Sequence, residues 1–460
     1  RKTGLQQILE SAMGAEAAGP LLSRHARERA QGALQVAESA FDWSISAAAG
    51  KRRIAQAGTS MGFLTTETEF DTPFVATVFG ERLLQSGVRM RAGVFLASDL
   101  RQDARRALNP LVNRPQLTFD IPVTGALGEP AEALRLEAAR NDVVAADFDT
   151  RIARAAYLHR VAAGFWKMLA AQRRVQADRS LRDTTAEVAS QLGRLAERGE
   201  AAAAEAAQWR ARTQLREIGL QKATLEVATL RRELLSLLRL EQRPEWQGLD
   251  LAAEFPDEGA QPVGLAHAAP LVERALQLRP DYLRLKEQVN AAQLRARAAD
   301  RESADRLALV AGLDRLMLEW STVLGGNRNS GLRRQHEQDA EIARLNLQEL
   351  RRAIGVEIEQ HLARLAAAAQ AARALRPVTA QMARHVDGVR RQVAAGLSPA
   401  SALAESAEAL AQALKERIEA QAQHAQAIAD LRLALAELSD PGIGAATLAE
   451  MLRRAPLASR

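Results

Sequence analysis

The pentad Gly58-Thr59-Ser60-Met61-Gly62 has the G-x-S-x-G spacing that presents a serine nucleophile on a sharp strand-to-helix turn. That chemistry needs a buried apolar strand before the serine and a helix after it. Here Lys51-Arg52-Arg53 precedes and Thr65-Thr66-Glu67-Thr68 follows, so the pentad reads as a polar loop between strands. His336-Glu337 starts a zinc-protease-like pattern but lacks the second histidine that two-point ligation requires. The seven histidines are scattered, and no glycine loop is built to cradle phosphate. With no cysteine there is no thiol nucleophile, disulfide or lipidated thiol within the chain. The expectation is a protein without catalytic, cofactor-binding or metal-binding residues, and not an enzyme.

Three aromatics on strand-like segments carry a different chemistry. Trp43, Phe119 and Trp320 either pack within a small sheet or form a girdle at a membrane interface, where amphipathic rings settle. The surrounding composition is rich in Ala, Leu, Arg and Glu, with 4% aromatics, a mix that favours long helices. The 62 Lys and Arg are interleaved with 56 Asp and Glu. That pattern is a solvated helix surface, and nucleic acid is not expected as a partner. No run of about 18 apolar residues exists, which excludes a transmembrane helix but not a β-barrel. The chain opens at Arg1 without Met or an apolar leader, as expected of a processed chain whose secretory signal is gone.

The elements that must position these residues occur twice. Gly19-Pro20 opens a helix leading to the strand-like Ser44–Gly50, and Arg279-Pro280 opens one leading to Leu307–Gly312. The first repeat spans residues 1–250: helices within 4–40, strands and outer loops over 41–124, and long helices 131–196 and 200–240. A linker covers 251–264. The second repeat spans 265–440: helices within 265–303, strands within 307–324, and long helices 332–393 and 400–438, with a C-terminal tail at 441–460. Gly199 and Gly396, the latter with Pro399, mark the breaks between paired long helices. The 131–196 helix alone is roughly 100 Å long at 1.5 Å per residue. Heptad-spaced seams, such as Val188/Leu192/Leu195 and Leu403/Leu410/Leu414, read as core. Gly50 and Gly312 are 262 residues apart, whereas Gly125/Gly325 and Gly199/Gly396 are about 200 apart. About 60 extra residues therefore lie between the first repeat's two main strands, as an exposed loop or hairpin extension.

This ordered set resembles the outer-membrane efflux proteins, the TolC-type outer-membrane factors, over about residues 5–440. Ala40-Phe41-Asp42-Trp43-Ser44-Ile45-Ser46 is similar to the family's opening. Ile121-Pro122-Val123 with Gly125 and Gly128 resembles its strand-to-helix junction. Arg279-Pro280-Asp281 with Ala291-Ala292 resembles the start of its second repeat, and Val323-Leu324-Gly325-Gly326-Asn327-Arg328 the junction there. The resemblance implies a mainly α fold with a small β part. Long coiled-coil-like helices would form a trimeric α-barrel, and four or more strands per protomer would join a shared transmembrane β-barrel, twelve-stranded in the family. It implies an outer-membrane channel with a periplasmic extension in a Gram-negative bacterium. As part of a tripartite efflux pump or type I secretion system, such a channel conducts solutes or proteins from periplasm to exterior. Its partners would be outer-membrane lipid, a periplasmic adaptor and an inner-membrane transporter, with no cofactor.

The resemblance also places the periplasmic entrance at the two glycine turns. Matched from Gly396, the family's two acidic rings fall at Ala402 and Glu405, and its basic latch at Ser398. Glu405 keeps one acid, Ala402 loses the other, and Glu205, six residues after Gly199, is a candidate substitute. The extra residues of the first repeat would lie on the cell-surface side. A different reading of the same helices is a structural coiled-coil scaffold without a pore.

Overall fold

The computed structural model describes residues 2–14, 18–51, 54–57, 68–71, 74–98, 115–123, 129–258, 267–303, 306–313, 316–321 and 327–455. In chain order the elements are β1 Lys2–Thr3, α1 Leu5–Gly14, α2 Ala18–Glu38, β2 Ser44–Lys51, β3 Ile54–Ala57, β4 Thr68–Asp71, β5 Phe74–Leu83, β6 Arg89–Ser98 and β7 Pro115–Pro122. Then come α3 Ala131–Glu197, α4 Ala203–Leu237, α5 Pro244–Gln247, β8 Asp250–Leu251, α6 Ala268–Leu278 and α7 Pro280–Ser303. Last are β9 Arg306–Gly312, β10 Leu316–Ser321, α8 Asn327–Ala394, α9 Ala400–Ala434 and α10 Ala445–Arg453. They group into two compact units. One comprises Arg1–Ala26, Asp147–Arg284 and Gln348–Arg460; the other comprises Arg27–Ala146 and Leu285–Leu347.

The first unit is helical. Leu5, Ile8, Leu9 and Ala12 of α1 recur at helical spacing and are buried. They join Phe165, Trp166 and Leu169 of α3, Leu234 near the end of α4, and Leu448 and Leu452 of α10 in one core. Each such side chain contributes about 1.5–3 kcal/mol on full burial. The segment at 441–460, expected as a tail, thus holds a packed helix, because Leu448, Ala449 and Leu452 form an apolar stripe. The stretch at 251–264, expected as a linker, is docked over its described part. β8 pairs with β1 in parallel, and Gln172 holds Asp250 at 2.8 Å. Phe255 stacks on Trp166 with ring centroids 6.0 Å apart.

Both long helix pairs turn in the same way. Gly199 (φ +78°) and Gly396 (φ +71°) sit 197 residues apart in the left-handed region that glycine enters without Cβ strain. At the first turn Gly199 N–H donates to Ala196 O and Glu200 N–H to Leu195 O. At the second, Gly396 N–H donates to Val393 O and Leu397 N–H to Gln392 O. These bonds satisfy carbonyls that a helix end would leave orphaned. The other ends of α4 and α9 repeat the geometry at the same separation. There Arg239 (φ 54°) and Ala436 (φ 61°) take the left-handed position, without a glycine to announce it.

Arg279, from the Arg279-Pro280-Asp281 motif, is the polar anchor of this unit. Its guanidinium donates to Asp281 at 2.7 Å, to Glu357 of α8 at 2.6 Å and to the Ala434 carbonyl at the end of α9. Glu357 also pairs with His361. The hydrogen bond from His361 is the main cause holding the Glu357 carboxyl below its ordinary value of 4.5; burial opposes it and Arg279 adds to it. A carboxylate depressed in this way contributes stability above its unfolded pKa and loses it as pH falls through the lower folded value. Arg279→Ala is expected to cost about 2 kcal/mol, below the range for a fully buried pair because Glu357 is 41% exposed. The difference in unfolding midpoint between the wild type and the Glu357→Gln variant should shrink below pH 4.5; a pH-independent difference would remove the assigned carboxylate contribution.

Candidate functional site

The second unit carries a six-stranded antiparallel sheet, in the order β10-β9-β7-β6-β5-β2. Its pairing assigns every described strand residue to one of two faces, since directly paired residues point the same way. One face carries Ile45, Ala47 and Ala49 of β2, Ala76, Val78 and Gly80 of β5, and Met90, Ala92 and Val94 of β6. It continues through Leu117, Phe119 and Ile121 of β7, Leu307, Leu309 and Ala311 of β9, and Leu316, Leu318 and Trp320 of β10. This apolar surface meets solvent in a single chain: Ile45 is 79% exposed, Leu316 73% and Trp320 63%. The opposite face presents Ser44, Ser46, Thr77, Glu81, Arg89, Arg91, Gln116, Thr118, Asp120, Glu319 and Ser321, together with the apolar Phe79, Leu83, Val310 and Met317. An exposed apolar surface of this extent marks a binding or membrane face. Alternation of apolar-out and polar-in along each strand is the pattern of a lipid-facing barrel wall.

Charge on the polar face gathers at the end where β2 enters and β7 leaves. Glu81 accepts from Arg91 at 2.8 Å and lies 3.2 Å from Arg89, whose register partner is Asp120. The Arg91 guanidinium lies 5.2 Å above the Phe79 ring. Phe79 faces Gly93, where an added Cβ would come 2.5 Å from both the Phe79 Cβ and the Val78 carbonyl oxygen. None of Glu81, Arg89, Arg91 and Gly93 was singled out by sequence reasoning. The usable signal is Glu81 and Arg91 straddling the Gly87 turn, inside two alternating segments.

The three aromatics are placed as follows. The Trp43 ring lies within 3.3–3.4 Å of where a Cβ on Gly80 would point, so it covers the apolar face at the helix-side rim. Trp320 stands on the same face and pairs with Leu307 at the start of β9, on that rim. Phe119 lies further in, between Met90 and Ala311.

The extra residues of the first repeat need a correction. They were expected as outer loops or an extension on the cell-surface side. β3 and β4 pair with each other as a separate two-stranded antiparallel ladder. β5 and β6, however, lie inside the sheet, and their turn is at the helix-side rim, where Arg82 donates to the Phe41 carbonyl at 3.0 Å. Each is paired along both edges, as internal strands of the sheet. The Gly58–Gly62 pentad and the junction glycines Gly125, Gly128, Gly325 and Gly326 lie outside the described residues.

At the helical turns, Val188, Leu192, Trp209, Val386, Val389 and Leu403 form a small core that gathers the ends of α3, α4, α8 and α9. Ala402 packs at its edge, half-buried. Glu205, in the first turn of α4, and Glu405 are exposed. Ser398 donates to the Gln392 side chain at 3.2 Å, a bond local to its own turn. Ala202 and Pro399 cap α4 and α9 at the common 197-residue separation, so Glu205 and Ala402 occupy equivalent positions in the two repeats. A groove beside this core is lined by Arg194, Arg198, Arg390 and Glu187. Among the described residues no group of His, Cys, Asp or Glu could hold a metal ion, and no helix is long and apolar enough to cross a membrane.

The sheet supplies a direct check. Gly93→Ala should loosen the wall by about 1–3 kcal/mol, because the clash includes backbone. Gly50→Ala on β2, which meets nothing within 4 Å, should cost far less. Thermal unfolding of the purified variants reads both; equal stability of the two variants would contradict the close Phe79–Gly93 packing.

No protein-family model and no curated protein matches the sequence. Solved structures match its fold over nearly the whole chain. The CmeC outer membrane channel of Campylobacter jejuni superposes with a TM-score of 0.66 at 13% identity, over 98% of this chain and 89% of that one. The outer membrane protein VceC of Vibrio cholerae gives 0.67 at 13% identity, over 94% and 96%. The open state of the MtrE outer membrane channel of Neisseria gonorrhoeae gives 0.66 at 14% identity, over 94% and 88%. The chain therefore has the fold of the outer-membrane channels.

Proposed function

We propose that this chain is the channel subunit of an outer-membrane export assembly, serving a tripartite efflux pump or a type I secretion system. The observation that carries the reading is the sheet, whose one face is apolar across all six strands apart from Arg82 at the rim, while Glu81, Arg89, Arg91, Asp120 and Glu319 stand on the other. A coiled-coil scaffold has no use for such a surface. The protein is read as residing in the outer membrane of a Gram-negative bacterium, with lipid against the apolar face and a periplasmic extension. The helices support association: Leu215, Ile218 and Leu225 of α4 are exposed on one side of that helix, as are Ile342, Leu345 and Val356 on α8. Neighbouring copies in a homotrimer would cover them. A periplasmic adaptor and an inner-membrane transporter complete the assembly. The protein's own work is passive conduction without covalent chemistry, gated where the helix pairs turn.

Two measurements test this. Extraction from membranes should require detergent and yield a trimer rich in helix; a soluble monomer from the fully processed, membrane-expressed protein would sink the reading. Glu405→Ala should shift the ion selectivity of the channel in planar bilayers, because a ring of acids at a constriction favours cations. Unchanged selectivity would leave Glu405 an ordinary exposed helical acid, and Glu205→Ala would then be the variant expected to carry the shift.

A further inference from the structure

We infer that the wall through the membrane is an eighteen-stranded barrel, to which each of three chains gives six strands. This rests on the trimer proposed above and goes beyond it in assigning β5 and β6 to the wall. Three observations carry it. First, β5 and β6 are ten residues long, the length a tilted strand needs to cross lipid, and longer than the strands around them. Second, they pair along their length, β5 to β2 over eight positions and β6 to β7 over six, so no direct β2–β7 ladder is left. Third, the two-face alternation continues through them: Val78 and Val94 extend the apolar face and Thr77 and Arg91 the polar one, with Phe79 on the polar face and Arg82, at the rim, on the apolar face as the exceptions. A surface loop would need neither the length nor the matched face.

The sheet's edges fit closure by copies of this chain. β2 and β10 run in opposite directions at the two ends of an even, alternating set of strands. Setting β10 of one copy beside β2 of the next therefore continues the antiparallel order, and a head-to-tail ring removes every edge. Barrel diameter grows roughly linearly with strand number, so eighteen strands make a wall about 1.5-fold wider than twelve. Barrels of about 16–18 strands leave an open aqueous bore. The exit through lipid is then broad enough for bulky polar cargo, and the narrow point lies elsewhere.

The absence of cysteine makes pairwise cysteine bridging unambiguous in the full-length membrane protein. Ala48→Cys with Thr77→Cys should bridge within a chain, as register partners. Ser46→Cys combined with Gln116→Cys or with Thr118→Cys should not, because β5 and β6 intervene. Ala48→Cys scanned against Met317→Cys, Glu319→Cys and Ser321→Cys should give covalent dimers and trimers and nothing larger. An intrachain β2–β7 bridge alongside a trimer would overturn the eighteen-stranded wall while leaving the channel intact. A ladder ending at two chains would overturn it in favour of a twelve-stranded dimeric barrel. No interchain product at any pair would overturn the trimer reading as well.

Discussion

A strand exposed to lipid must hydrogen-bond along both edges, since each orphaned N–H or C=O there costs several kcal/mol. One chain satisfies five ladders and leaves two edges open, the outer sides of β2 and β10. Every residue of β10 is exposed in the isolated chain. The exposed stripes on α4 and α8 make the same demand in helical form. Under the proposed reading neither demand is met without other copies, so folding of the wall and assembly are one process.

That constraint explains why the two repeats differ in one place and agree in another. In the helical unit the turns stay 197 residues apart at both ends of the shorter helices. A single inserted residue there would rotate everything beyond it by about 100° and misplace the apolar seam. In the sheet the repeats diverge by about 60 residues without disturbing either neighbour. Two added strands keep β2 and β7 running as they did, each still with an antiparallel partner. An odd strand would have forced one parallel pair. Growth by whole hairpins is the change a closed antiparallel wall can absorb.

Much of this was legible beforehand, for identifiable reasons. Gly199 and Gly396 announce left-handed turns because other residues pay a Cβ strain there. Leu117, Phe119 and Ile121 announce a strand by period two. Arg239 and Ala436 could not be read, because their strain is offset by tertiary packing around Leu238, Leu240 and Leu438, all buried. The helix at Ala445–Arg453 was also hidden: nine residues are too few for a stable isolated helix, and it forms against α1. Strand order was hidden as well. Alternation says which residues share a face, but whether β5 and β6 stand inside or outside the wall depends on pairing with distant strands. At the turns, the acids Glu205 and Glu405 were visible as residue types, whereas the packing of Ala402 at the edge of the Val386, Val389 and Leu403 core was not.

The charges of the wall bear on where selection occurs. Glu81 lies between two arginines, and Asp120 stands opposite one of them. Opposite charges this close cancel within a Debye length of about 8 Å at physiological salt, so under the channel reading a passing ion would meet little net field. Arg91 is also held down on Phe79, which fixes it against the sheet. A barrel built as proposed would then not sort solutes by sign, nor, at that width, by size. Near the helix turns Glu205 sits in a first helical turn, the Ala402 that matches it in the other repeat carries no charge, and Arg194, Arg198 and Arg390 line a groove beside the same core. Under the proposed trimer, Glu205 and Glu405, one from each repeat, would recur as six acids around one axis, set among the arginines of those grooves.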